Sequence, residues 1–233
     1  MGHTARKFRH ELKYYINYND YIAVRNRIKH VLKLDSNANE QGEYFIRSLY
    51  FDDIYDSALF EKNFGVNLRN KYRIRIYNMS DKSIKLERKS KVGQYVNKEA
   101  VNISREEYEN ILQGKFTFLD AADSLLKKDL FMTMKNKLLI PKVIVDYDRE
   151  AYVGNISDVR ITFDKNVRVA FSSNDIFNPN IATKIIFPMP MMIMEVKFNE
   201  FLPDIVKKMI SMDAKDMSAI SKYVFCRVQK NNI

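Results

Sequence analysis

Charged and apolar residues alternate one for one in at least four separate stretches of this chain, and the charged positions are mostly basic. Lys71-Tyr72-Arg73-Ile74-Arg75-Ile76 shows the pattern most plainly. Lys85-Leu86-Glu87-Arg88-Lys89, Val159-Arg160-Ile161-Thr162-Phe163-Asp164 and Met194-Glu195-Val196-Lys197-Phe198 repeat it. A repeat of two residues belongs to a β-strand, whose side chains point to opposite faces in turn. Each such strand has one apolar face and one face of guanidinium, ammonium and a few carboxylate groups. If strands of this kind share a sheet, they build a concentrated cationic surface, and that surface is the main pointer to function.

With 233 residues the chain can bury a real core, in one large domain or two small ones. Its formal charge of +10 suits anionic partners: nucleotides, polyphosphate, nucleic acid or an acidic membrane. Cys226 is the single cysteine, which excludes intrachain disulfides and cysteine-rich zinc sites and points to a reducing compartment. No long apolar run or leader-type segment is evident, so neither a membrane span nor a signal peptide is expected. His3, His10 and His30 lack metal-ligand spacing, and the six glycines form no phosphate-cradling run. Bound phosphate would have to be met by side-chain cations.

The pattern predicts strands over 8–16, 44–51, 71–77, 83–90, 95–101, 142–152 and 159–169, and one centred on Glu195. The polar run Asn78-Met79-Ser80-Asp81 turns one strand into the next. Helices are expected from Asn19 as cap to about Leu32, over 57–63, over 120–139, and from Pro203 to about Met212. Ser104 followed by Glu107 is a capping box, with Gly114 as the stop. Residues 217–230 read as helix, with a terminal strand as the alternative. No repeat, linker or domain boundary stands out, so one α+β domain over 1–233 is the simplest reading.

The polar phase of these strands holds the bases Lys13, Lys71, Arg73, Arg75, Lys85, Lys89, Arg160 and Lys197, and the acids Glu11, Glu87, Asp164 and Glu195. The opposite phase holds Leu12, Ile74, Leu86, Ile161, Val196 and Phe198. The apolar face can lie outward under amphipathic helices, leaving a wet and positive interior. Like charges ~4 Å apart repel by roughly 4 kcal/mol at an effective dielectric near 20. Crowded bases therefore need water, carboxylates or a bound polyanion, and a phosphate chain meets arginines in bidentate fashion. A carboxylate among them is a candidate ligand for Mg²⁺ or Mn²⁺. Taken singly, each stretch reads as a solvated face with cross-strand ion pairs; their coincidence favours a shared site. Glu11 and Glu87 read as ion-pair partners that position bases, and Glu195 as a ligand or a partner. Arg88 and Arg168 fall on the other phase and read as surface charges. Tyr14, Tyr50, Phe51 and the methionines at 189–194 read as packing. His10 reads as structural.

Arg9-His10-Glu11-Leu12-Lys13-Tyr14 resembles the opening motif of triphosphate tunnel enzymes, whose usual form is E-x-E-x-K. Arg9 stands at the first glutamate position, which is similar to the VTC-type polyphosphate polymerase branch rather than the adenylate cyclase and thiamine triphosphatase branch. Ser48-Leu49-Tyr50-Phe51-Asp52, Lys71-Tyr72-Arg73-Ile74-Arg75, Leu86-Glu87-Arg88-Lys89, Tyr147-Asp148-Arg149-Glu150-Ala151-Tyr152, Val159 to Asp164, Glu195-Val196-Lys197 and Ser221-Lys222-Tyr223 continue the series in order, over nearly the whole chain. The resemblance implies an α+β fold: an eight-stranded antiparallel β-barrel, or tunnel, with helices packed outside. It implies that Lys13, Arg73, Arg75, Lys89, Arg160 and Lys222 contact phosphates, with Lys197 beside them, and that Glu195 holds Mn²⁺ or Mg²⁺. Arg73, Arg75, Lys89, Arg160 and Glu195 would be the catalytic set, with Glu11 and Glu87 as supporting ion pairs. The missing first glutamate speaks against a two-metal hydrolytic site.

The expected activity is then transfer of the γ-phosphate of ATP to growing inorganic polyphosphate. The rivals are a hydrolase of triphosphates using the same residues, a polyphosphate-binding module without chemistry, and an RNA-binding domain. ATP and polyphosphate are the expected partners, nucleic acid is disfavoured, and room is left for a separately encoded membrane protein. The expected place is the cytoplasm, at the inner face of the membrane in the case of such a partner.

Overall fold

The computed structural model describes residues 10–93, 95–171, 173–188, 190–212 and 217–231. His3, Phe8, Arg9 and Met189, which figured in the sequence reading, lie outside the described residues. The strands are β1 (His10–Ile16), β2 (Lys33–Leu34), β3 (Glu43–Asp52), β4 (Leu68–Tyr77), β5 (Ser80–Val92), β6 (Tyr95–Ile103), β7 (Ile140–Val153), β8 (Arg160–Ala170), β9 (Thr183–Ile185) and β10 (Met192–Phe198). The helices are α1 (Tyr18–Ile28), α2 (Ser57–Asn63), α3 (Arg105–Leu112), α4 (Leu125–Lys137), α5 (Asp204–Ile210) and α6 (Lys222–Asn231).

The class is α+β. The strands form an antiparallel sheet in which eight follow one path, β1-β10-β8-β7-β3-β4-β5-β6, while β2 adds to β7 and β9 to β8. Among the described residues this order runs from β1 to β6 without closing on itself. Eight strands in one path were expected; the two short additions, of two and three residues, are too brief to show any period. The chain gathers into two compact units.

The first unit comprises Met1–Phe45, Tyr147–Val167 and Ile185–Ser221. Its core joins Ile161 and Phe163 of β8, Met194 and Val196 of β10, Val24 and Ile28 of α1, and Val206 and Ile210 of α5. These are the apolar phases of the alternating strands, covered by the inward stripes of two helices. Asn17, not Asn19, caps α1: its side chain accepts from the Asp20 backbone N–H at 2.9 Å, and the Asp20 carboxylate accepts from the Asn17 N–H at 3.1 Å. That reciprocal pair needs a carboxylate three residues after the cap, which only Asn17 has. The helix ends at Ile28, short of Leu32.

The second unit comprises Ile46–Asp146, Arg168–Lys184 and Lys222–Ile233. Ile74 of β4 and Leu86 of β5 pack with Tyr108 and Ile111 of α3 and Leu130 and Met134 of α4. The Ser104–Glu107 capping box is present in both directions. Residues 120–124 fall outside helix, so α4 begins at Leu125. Asn78 and Met79, at φ 49° and 56°, make the β4–β5 reversal tighter than the four-residue turn expected. Helix covers 222–231 and not 217–221, and no strand follows residue 217 among the described residues. No helix among the described residues is long and apolar enough to cross a membrane.

Candidate functional site

Each unit presents one polar sheet face, opposite its core. In the second unit the face centres on β4. Register sets Arg73 opposite Glu87 and Tyr50, Arg75 opposite Lys85 and Ser48, and Lys71 opposite Lys89, which in turn faces Lys98 on β6. Pairs in register share a face, so these residues form one patch. Arg73 donates through Nε to Glu87 Oε2 at 2.5 Å and through Nη1 to the Tyr50 hydroxyl at 2.8 Å. Arg75 donates through Nε to Ser48 Oγ at 3.1 Å, and its Nη1 lies 3.8 Å from Glu87 Oε2. Lys98 pairs with Glu87 Oε1.

Glu87 is 1% exposed. Burial alone would raise its pKa, but Arg73, Arg75 and Lys98 outweigh burial and hold the carboxyl far below its ordinary value. One carboxylate thus serves several cations. The surplus positive charge shows in the lysines. Lys71 is pushed down to about 7 by burial and by Arg69, Lys62 and Lys89. Lys98 is pushed down to about 7 by burial and then by Arg73. Lys71 Nζ lies 4.5 Å from the centroid of the Tyr223 ring, and the Tyr223 hydroxyl donates to Asp52 Oδ2 at 2.5 Å. Lys222, at the start of α6, is the chain neighbour of that tyrosine.

In the first unit the face runs across β1, β10 and β8. Glu11 stands opposite Lys197, and Lys13 opposite Glu195; Lys197 and Glu195 stand opposite Arg160 and Thr162. The result is a checkerboard. Lys13 Nζ lies 3.7 Å from Glu11 and 3.4 Å from Glu195, while Lys197 Nζ lies 3.5 Å from Glu11 and 2.9 Å from Glu195. Arg149 of β7 donates to both oxygens of Asp164, at 2.6 and 2.8 Å, and comes within 3.8 Å of Glu195. Arg160 donates to Asp35 and, at 2.9 Å, to the Tyr44 hydroxyl. Burial acts to raise the Asp35 pKa, but hydrogen bonds from Asn37 and Arg160 prevail and lower it. The buried Thr162 hydroxyl, opposite Glu195, has no hydrogen-bond partner among the described residues.

Of the residues singled out in the sequence, Arg73, Arg75, Glu87 and Lys89 therefore gather on one face, and Glu11, Lys13, Glu195, Lys197 and Arg160 on another. Asp164 is committed to Arg149, and Arg160 to Asp35. Lys98, Arg149, Tyr50, Ser48 and Thr162 were missed. Lys98 sits in Tyr95-Val96-Asn97-Lys98-Glu99, which does not alternate, and Arg149 lies between two acids, where no period can pick a face. Arg88 is not a bare surface charge: it pairs with Glu99 of β6 and, at 2.6 Å, with Asp129 of α4.

Among the described residues no three carboxylate, imidazole or thiol groups gather to hold a metal ion. Glu11 and Glu195 each pair with both Lys13 and Lys197. Magnesium-like ions are often held by one or two carboxylates with substrate phosphates completing the shell. A metal held here would have to arrive with phosphate, since the described residues build no cage for it.

A model of the VTC domain matches residues 8–229. Among solved structures, the chain is similar to the PH1819 protein from Pyrococcus horikoshii OT3, at 12% identity, TM-score 0.48, covering 95% of this chain and 99% of that one. It is also similar to a "putative adenylate cyclase" from Bacillus halodurans, at 10% identity, TM-score 0.46, covering 86% of each chain. Likenesses this distant carry no functional weight. No match to this chain was found among curated proteins.

Proposed function

Because the chain belongs to the VTC domain family, a polyphosphate-related family, we propose that it is a polyphosphate polymerase of the triphosphate tunnel type, with 1–233 acting as one domain in the reducing cytoplasm. The observation that carries this reading is the second unit's face, where Arg73, Arg75 and Lys98 share the carboxylate of Glu87 and the register sets Lys71 and Lys89 beside them. Such a face lacks negative charge, and a chain of phosphates supplies it.

An oxygen of the terminal phosphate on the growing chain attacks the γ-phosphorus of ATP. The bond from that phosphorus to the β,γ-bridging oxygen breaks, and ADP leaves with the electron pair. The attacking oxygen is already ionised at neutral pH, so the step needs alignment and charge neutralisation rather than a general base. Arg73 and Arg75 stabilise the equatorial oxygens, held in place by Glu87, Tyr50 and Ser48. In the second unit Lys89 and Lys222 would bind phosphates; in the first, Lys13, Lys197 and Arg160 would, Arg160 with Asp35 as its fixed counter-charge. Arg149 lies within 3.8 Å of Glu195 in that unit. Glu195 would hold Mn²⁺ or Mg²⁺ there, which when bound supplies neutralisation of phosphate charge.

The test is incubation with ATP and Mn²⁺, followed by gel sizing and nucleotide analysis. Long phosphate chains with ADP are expected. Free phosphate alone would identify a hydrolase, and tight polyphosphate binding without turnover a binding module.

A further inference from the structure

Toward the start of β4 the cationic face of the second unit runs on past Glu87. At the Arg73–Glu87 level a base meets an acid. The next two pairs on this face set base against base: Lys71 opposite Lys89, then Arg69 opposite Lys91. Side chains two apart on a strand share a face, so Arg69 and Lys91 continue the row of Arg73, Lys71 and Lys89. Leu68, Val92 and Tyr95 at the same end take the opposite phase. Like charges directly opposite one another destabilise a sheet, and here two such pairs follow in succession.

The protein's own groups do little to offset them. Arg69 donates to the Val66 carbonyl at 2.9 Å and to the Glu61 carbonyl at 3.5 Å, which anchor the guanidinium without neutralising it. Burial lowers the Arg69 pKa, and the Glu61 carboxylate acts against that. Burial also raises the pKa of Glu61, which weakens it as a counter-charge. Among the described residues no carboxylate pairs with Lys91. Asp52 acts on Lys71, but its oxygens already accept from the Ala58 and Leu59 N–H groups and from the Tyr223 hydroxyl. Lys62 of α2 adds to the excess: after burial, Arg69 and Lys62 are the next causes that lower the Lys71 pKa. Lys62, Arg69 and Lys91 are half-buried, which leaves their charges within reach of a ligand.

A strand rises about 3.3 Å per residue, so Arg69 lies roughly 13 Å along β4 from Arg73. A triphosphate held at Arg73 and Arg75 does not span that distance, whereas a long phosphate chain does. Tyr95, at this end of the strands, is on the other phase, so the row offers charge without the stacking platform that single-stranded nucleic acid uses. We propose that Arg69 and Lys91, with Lys62 near them, form an outer subsite that grips long inorganic polyphosphate beyond the Arg73 level and so favours long chains over short ones. This rests on the polyphosphate reading and extends its site by residues which that reading does not use.

The experiment titrates tripolyphosphate, long-chain polyphosphate and single-stranded RNA into wild type and into the joint variant Arg69→Gln with Lys91→Gln, without ATP or metal. Long-chain affinity should fall at least about tenfold, the scale of one charge-assisted contact. Its salt dependence should become shallower, because fewer phosphates are neutralised. Tripolyphosphate affinity should stay within about twofold at physiological ionic strength, where the screening length is about 8 Å. That result also shows that the variant folds. If the joint variant does not fold, Lys91→Gln alone, which has no carboxylate partner to lose, should lower long-chain affinity at least about threefold. Unchanged long-chain affinity with tripolyphosphate binding retained would overturn the outer subsite and leave the polyphosphate reading standing. An equal loss for both phosphate ligands, or a loss confined to RNA, would also overturn it. Failure of the wild type to bind either phosphate ligand would overturn both readings.

Discussion

At the scale of single residues the account turns on how few carboxylates serve many cations. Glu195 faces Lys13, Lys197 and Arg149. Its replacement by glutamine keeps the shape and removes the charge that the proposed metal ion would need. Metal-dependent turnover of Glu195→Gln should fall at least about a hundredfold, roughly what one well-placed electrostatic group supplies, while polyphosphate binding persists. Unchanged turnover would remove Glu195 from the mechanism. Lys71 offers a separate handle. Its folded pKa of about 7 lies below the ordinary lysine value, so the charge costs stability below that pH, and the loss is recovered as pH rises toward the unfolded value. A bound phosphate favours the charged form and draws a proton in. Tripolyphosphate affinity should therefore weaken as pH climbs above 7, and calorimetry near pH 8 should record proton uptake. Lys71→Met should reduce that uptake without abolishing it, because Lys98 responds in the same way. Identical uptake in the variant would contradict the assignment.

At the scale of elements, the strands were legible where charge and apolarity alternate strictly. β4 shows this best: Ile74 is fully buried in the core while Arg73 and Arg75 stand on the polar face. Legibility failed where several charges follow one another. Asp148-Arg149-Glu150 has no visible phase, yet β7 turns Arg149 to Asp164 and Glu150 to Lys165 and Tyr21. Helix starts were legible when both halves of a capping box could be named, as at Ser104, and ambiguous when two asparagines stood close together, as at Asn17 and Asn19. Arg47 was invisible as an anchor. It sits on the core phase of β3, 3% exposed, and donates at 2.9 and 2.7 Å to Asp146 of β7 and at 2.7 Å to the Asn178 carbonyl. Breaking a buried pair of this kind strands the remaining charge, which costs about 3–5 kcal/mol. Arg47→Ala should show that loss in urea unfolding. A loss under about 1 kcal/mol, the usual worth of a surface pair, would mean that the pair is not holding the strands together.

At the scale of the whole molecule, the +10 charge is not spread evenly as a solubility device. The polar face of the second unit collects Lys71, Arg73, Arg75, Lys89 and Lys98 around Glu87, whereas that of the first sets Lys13, Lys197, Arg149 and Arg160 against Glu11, Glu195, Asp164 and Asp35; each face has its own apolar core behind it. Composition could point only to an anionic partner, whereas strand phase picked out the residues proposed to bind it. In the proposed reading, cation side chains take over the task that backbone amides perform in glycine-rich phosphate loops. The family match over 8–229 agrees with the ordered series of motifs, each weak by itself.

The central claim is that these side-chain cations hold a phosphate chain. The most direct measurement is titration of tripolyphosphate, without metal or nucleotide, into wild-type protein and Arg73→Met at several salt concentrations. The account predicts wild-type binding that weakens steeply with salt, and a loss of at least about tenfold in Arg73→Met at low salt, the scale of one charge-assisted contact. Equal affinities for the two proteins, or binding indifferent to salt, would contradict it.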